Sequence, residues 1–84
     1  MSLQIKILGA GCVKCRGLDE RTRKAVAELG LDASVEKMED LRDILNYGVL
    51  QTPALVINDQ VVMSGILPTY TELKQFLSDY KQDN

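Results

Sequence analysis

The spacing of apolar residues changes period across one tripeptide, and that change constrains the fold more than any other feature of the chain. Before Gly9-Ala10-Gly11, residues Leu3, Ile5 and Ile7 alternate with Gln4 and Lys6 and run into Leu8, the period-two signature of a mostly buried strand. After it, Leu18, Ala25, Val26 and Leu29 fall on one face of a helix predicted over residues 12–29, with Gly30 as its left-handed stop. A strand therefore hands over to a helix through three small residues. Both cysteines of the chain, Cys12 and Cys15, lie at that hand-over.

The rest of the chain divides by the same signals. Ala33 to Met38, centred on Val35, reads as a short second strand. Asp40 caps a brief helix through Leu41, Ile44 and Leu45, which stops at Tyr47-Gly48 with Tyr47 packed on the core. Residues 54–57 and 61–63 are β-rich runs joined around Asn58-Asp59-Gln60, a composition that suits a tight antiparallel hairpin because Asn and Asp tolerate positive φ. Thr69 and Glu72 form a T-x-x-E capping box after Pro68, and Tyr70, Leu73, Phe76, Leu77 and Tyr80 make the apolar stripe of the helix it opens. Residues 79–84 are expected to fray.

The order is β-α-β-α-β-β-α, and residues 1–84 are too few for a second core. The expectation is a single α/β domain, a four-stranded mixed sheet with three helices on both faces. A right-handed strand–helix–strand crossover gives the sheet a parallel start. The hairpin is expected to add one antiparallel strand at an edge, in the strand order 2-1-3-4.

Composition removes several function classes. Ten Lys and Arg against twelve Asp and Glu leave a net charge of −2, with the bases scattered among acids, so nucleic acid is not an expected partner. Without histidine there is no His-based zinc site, no Ser-His or Cys-His pair and no histidine pH switch. No apolar run approaches the roughly 18–20 residues of a membrane span, and the start of the chain lacks the pattern of a secretory signal. Two cysteines three positions apart make no disulfide scaffold of the secreted kind. A cytoplasmic protein whose cysteines serve chemistry is expected.

Cys12-Val13-Lys14-Cys15 carries that chemistry. The first residues of a helix expose unpaired N–H groups at the positive end of its dipole, which stabilises a thiolate. Cys12 is therefore the expected nucleophile, with Gly11 before it and Lys14 after it as thiolate-tuning residues, and Arg16 adding charge of the same sign. Cys15, one turn further in, is the expected resolving thiol. Two cysteines can also serve merely as small apolar residues. A C-x-x-C opening the first helix of a βαβ pattern is, however, the redox signature of a cytosolic chain.

The residues Ile7-Leu8-Gly9-Ala10-Gly11-Cys12-Val13-Lys14-Cys15, Tyr47-Gly48-Val49, Thr52-Pro53-Ala54-Leu55-Val56-Ile57-Asn58 and Ser64-Gly65 make the chain resemble the thioredoxin/glutaredoxin superfamily over almost its whole length. The likeness is to its small members, the redox-active disulfide protein 2 or thioredoxin-like 3 group. On the residues alone, Pro53 is open between a trans proline at the start of an edge strand and a cis proline. The resemblance implies a cis Thr52–Pro53 bond facing the cysteines, with Thr52, Pro53 and Gly65 as substrate-binding residues. It further implies a thioredoxin-like fold and a protein-disulfide oxidoreductase without a cofactor. Its expected partners are a disulfide-bearing protein and an unidentified reductant, and it is expected to be a monomer. The chain departs from thioredoxins in lacking Trp, in carrying Val13-Lys14 between its cysteines, and in placing Lys6 near the position of their buried acid. Ser64-Gly65-Ile66-Leu67 offers one glycine and no acid, so glutathione use is not supported.

The rival class is a binding module for a soft metal, copper or zinc, since paired thiolates suit such ions. Small copper chaperones carry C-x-x-C after their first strand, but their βαββαβ fold ends in a strand, whereas this chain ends in a capped helix. Two thiolates also leave a tetrahedral zinc site incomplete, and no metal is assigned. Three readings stay open: Lys6 as a solvated strand residue, which is preferred, or as a charge tuning the thiolate; Gly17 as an aid to packing near the sulfurs or as a tolerated cost; Gly65 as room for substrate or a simple turn.

Overall fold

The computed structural model describes residues 3–9 and 13–82. Its elements are β1 (Leu3–Leu8), α1 (Val13–Leu29), β2 (Ala33–Met38), α2 (Leu41–Asn46), β3 (Ala54–Ile57), β4 (Gln60–Ser64) and α3 (Tyr70–Gln82). The four strands form one mixed sheet in the order β2-β1-β3-β4.

Strand directions follow from how far each helix can carry the chain. The 17 residues of α1 span about 25 Å, enough to return the length of a strand, so β2 starts beside Leu3 and runs parallel to β1. The six residues of α2 span only about 9 Å. The chain therefore enters β3 at the end where β2 finished, and β3 runs antiparallel to β1. β4 is antiparallel to β3 and so shares the direction of β1. This corrects one expectation: the antiparallel strand is the inner strand of the hairpin, not its edge strand. All four residues of β3 are buried, whereas β4 has exposed residues, which is why β3 takes the interior position.

Each face of the sheet has its own cover. Leu3, Ile5, Ile7, Leu55 and Ile57 pack with Leu18 and Ala25 of α1 and Leu73 and Leu77 of α3. On the other face Leu8, Ala54 and Val56 pack with Ile44 of α2 and with Val49. The strict alternation of side chains along β1 and β3 divides them between the two layers.

Local signals set the ends of the elements. Gly30 has φ +64, its N–H donates to Ala27 O, and the Leu31 N–H donates to Val26 O, a Schellman closure of α1. Asn58 and Asp59 have φ of 50 and 67, a two-residue turn between Ile57 and Gln60 whose twist suits a hairpin. At α3, the Glu72 N–H donates to Thr69 Oγ1 at 3.2 Å and the Thr69 N–H donates to Glu72 Oε1 at 3.1 Å.

Candidate active site

One end of the sheet gathers the C-terminal ends of β1, β2 and β4, the N-terminal end of β3 and the N-terminal ends of all three helices. The motif sits at this end. Cys12 and Gly11 lie outside the described residues, so the structure reaches the motif at Val13, Lys14 and Cys15. Val13 and Lys14 are exposed, while Cys15 is 1% exposed. The first turn of α1 contains no acidic residue, so no carboxylate of its own offsets the positive end of its dipole.

Cys15 packs directly against Gly9. Gly9 is buried, its N–H donates to Met38 O at 3.0 Å, and its φ is +150, a conformation that side chains disfavour. A Cβ built on Gly9 would collide with Cys15 Sγ, lie 3.2 Å from Cys15 Cβ and lie 3.5 Å from Thr52 Cβ. Cys15 and Thr52 thus flank the same empty position. Sequence reasoning treated Gly9 only as part of a small-residue turn. A glycine directly after an apolar strand and six residues before the second cysteine was the available signal, but the close approach is visible only in three dimensions.

The Thr52–Pro53 peptide bond is cis. Thr52 is exposed and Pro53 is buried. The Gly65 N–H donates to Pro53 O at 2.8 Å, and the Ser64 hydroxyl donates to Gln51 O at 3.1 Å, which ties the end of β4 to this loop. Gly65 has φ +74, and a Cβ there would run into the Gln51 side chain. The room that Gly65 leaves is therefore filled from within the chain, which favours its turning role over room for a substrate.

Lys6 departs from the preferred reading of a solvated strand residue. Its Nζ donates to the Tyr47 hydroxyl at 2.9 Å and lies 3.6 Å from Asp59 Oδ1, and the Tyr47 hydroxyl donates to the same carboxylate at 3.1 Å. The hydrogen bond to Tyr47 is the main cause that raises the Lys6 pKa above its ordinary value, with the Asp59 and Glu36 charges adding to it against desolvation. The ammonium is held by these partners and is not freely solvated. It is held at the hairpin turn, beside Asp59. A methyl on Gly17 would lie 3.5 and 3.7 Å from Leu67 Cδ2 and Cδ1, ordinary contact distances that favour the tolerated reading.

Apolar side chains are exposed around the motif end. Val13 is 83% exposed and Leu50 is 91% exposed, and Ile66, Leu41 and Leu45 are also exposed. A cleft of about 290 Å³ between α2 and the loop before Pro53 is lined by Leu41, Ile44, Leu45, Val49, Leu50 and Thr52. Among the described residues, no group of three or more Cys, Asp or Glu is gathered that could hold a metal ion. No helix among them is long and apolar enough to cross a membrane.

Comparison with known proteins gives a consistent set of likenesses. A protein-family model described as a thioredoxin domain matches residues 3–78. The thioredoxin of Methanocaldococcus jannaschii is 40% identical over 76 residues, covering 90% of this chain and 87% of that protein. The thioredoxin of Methanothermobacter thermautotrophicus is 36% identical over 76 residues, covering 90% of this chain and 99% of that protein. A probable thioredoxin of Archaeoglobus fulgidus is 31% identical over 70 residues, covering 83% of this chain and 76% of that protein.

Proposed function

This chain belongs to the thioredoxin domain family, and from that premise we propose that it is a thiol–disulfide oxidoreductase that reduces a disulfide of a partner protein with Cys12 and Cys15. The observation that carries the reading is the buried sulfur of Cys15, held in the first turn of a helix with no acid of its own and flanking, with Thr52, the end of β1.

Cys12, at the start of α1, is the nucleophile, because the unpaired N–H groups there favour its thiolate, and Lys14 and Gly11 tune it. The thiolate attacks one sulfur of the partner disulfide, forming a Cys12–partner bond and releasing the other partner sulfur as a thiolate, which takes up a proton. Cys15, as its thiolate, then attacks Cys12 Sγ. The Cys12–Cys15 bond forms, and the second partner sulfur leaves and is protonated. Two electrons and two protons pass from the protein dithiol to the partner, and an external dithiol reductant restores the pair.

The exposed edge at Thr52, beside Pro53, receives the substrate backbone. The apolar rim of Val13, Leu50 and Ile66 supports a protein over a small polar disulfide as substrate. The domain acts as a monomer in the cytoplasm, where a spare cysteine pair serves redox chemistry and not a scaffold.

The test is reduction of insulin disulfides by dithiothreitol, followed by turbidity. The wild-type protein accelerates it and Cys12→Ser does not. Acceleration by Cys12→Ser equal to that of the wild type overturns the assignment.

A further inference from the structure

We propose that Gly9 is the positioning residue for Cys15: the side chain it lacks is the socket that holds the resolving sulfur in its buried place. The proposal rests on the oxidoreductase reading for its redox consequence, but its steric core stands on geometry alone.

Three observations converge on the socket. First, Gly9 cannot step aside, because its N–H is bonded to Met38 O and it continues the pairing of β1 with β2. Second, α1 cannot retreat, because Leu18, Thr22 and Ala25 on the helix are each 0% exposed. Third, the space between these fixed elements is filled by sulfur, since a Cβ on Gly9 would collide with Cys15 Sγ. With backbone and helix both held, a methyl at position 9 leaves the sulfur as the group that must move. In a helix, few rotamers are open to it, and those away from Gly9 turn it from its buried site.

Gly30 supplies the control. It also has a positive φ, +64, but a Cβ there would meet nothing within 4 Å. Gly30→Ala therefore carries a left-handed backbone cost without the sulfur contact.

The experiment has two arms. In the Cys12→Ser background, the alkylation rate of Cys15 by iodoacetamide is compared for Gly9→Ala and Gly30→Ala. Gly9→Ala is expected to raise the rate about tenfold or more, and Gly30→Ala to leave it unchanged. With both cysteines present, Gly9→Ala is expected to shift the equilibrium with a dithiol buffer about tenfold toward the protein dithiol, because the displaced sulfur closes a strained bond. A purely structural role would weaken both redox forms alike and leave that equilibrium where it was.

Should Gly9→Ala fail to fold, Cys15→Ala added to it decides the matter. With the sulfur gone, Gly9→Ala is expected to fold and to cost less than it does with Cys15 present. Wild-type alkylation and equilibrium in Gly9→Ala, or an undiminished cost once the sulfur is removed, overturns the proposal. Failure of the wild-type pair to form any disulfide would instead overturn the oxidoreductase reading, leaving the alkylation arm to judge the socket.

Discussion

Two helices begin at the same end of the sheet and treat their first turns in opposite ways. At α3, Thr69 and Glu72 exchange hydrogen bonds, and the helix carries its own acid against its positive end. At α1 the first turn has no acid, Val13 and Lys14 are exposed, and a cysteine sulfur is buried there instead. The difference teaches what each end is for. A satisfied N-terminus stabilises the fold, whereas one left without a counter-charge favours an anion, the part that the proposed Cys12 thiolate would take.

The comparison is broken most severely at the cysteines. Cys15→Ser is expected to accumulate mixed disulfides with protein partners, seen as reductant-sensitive bands on a non-reducing gel, and Cys12→Ser to accumulate none. Equal trapping by both variants would remove the division of roles. Next in size, Thr69→Ala is expected to lower the free energy of unfolding in urea by about 1 kcal/mol while leaving the exchange rate unchanged. A loss of exchange without a loss of stability would mean that the capped end also serves the chemistry.

Giving α1 the acid that α3 already has is a gentler perturbation. Lys14→Glu is expected to slow alkylation of Cys12 at pH 7 by roughly two- to fivefold, with its pH profile moved upward. An unchanged profile would show that first-turn charge does not govern the thiolate. Away from that turn, α1 behaves as an ordinary helix. Gly17→Ala is expected to raise stability by about 0.5 kcal/mol, because its methyl makes an ordinary contact with Leu67 and removes unfolded-state freedom.

The smallest effect concerns pH. The Thr69 N–H, then the Thr69 side chain, hold the Glu72 carboxyl below its ordinary value of 4.5. A carboxyl depressed in the folded state stabilises it above the unfolded pKa and loses that contribution as pH falls through the folded one. The melting temperature is therefore expected to decline on acidification below pH 4.5, and Glu72→Gln to flatten part of that decline.

What was legible in the sequence was local. The period change around Gly9, the stop at Gly30, the turn at Asn58-Asp59 and the box at Thr69 and Glu72 each depend on neighbours within a few residues, and each is found in the fold. What was not legible depends on partners far along the chain. Gly9 meets Cys15 across a turn and Thr52 across the sheet, and Lys6 meets Tyr47 and Asp59 from two other elements. The direction of β3 was available in principle, because a six-residue helix is too short to return the chain, but that is an argument from length and not from residue type. At the site, the spacing singled out the cysteines and the resemblance singled out Pro53. The socket at Gly9 and the filling of Gly65 by Gln51 required the packed structure.

The most direct measurement is the redox equilibrium of Cys12 and Cys15, read by thiol alkylation and mass shift across defined dithiol/disulfide buffers. A single reversible two-electron transition, with both thiols gained or lost together, is the expected result. Two cysteines that remain separately alkylated in every buffer, with no intramolecular disulfide formed, would contradict the assignment of this pair as the working centre of the protein.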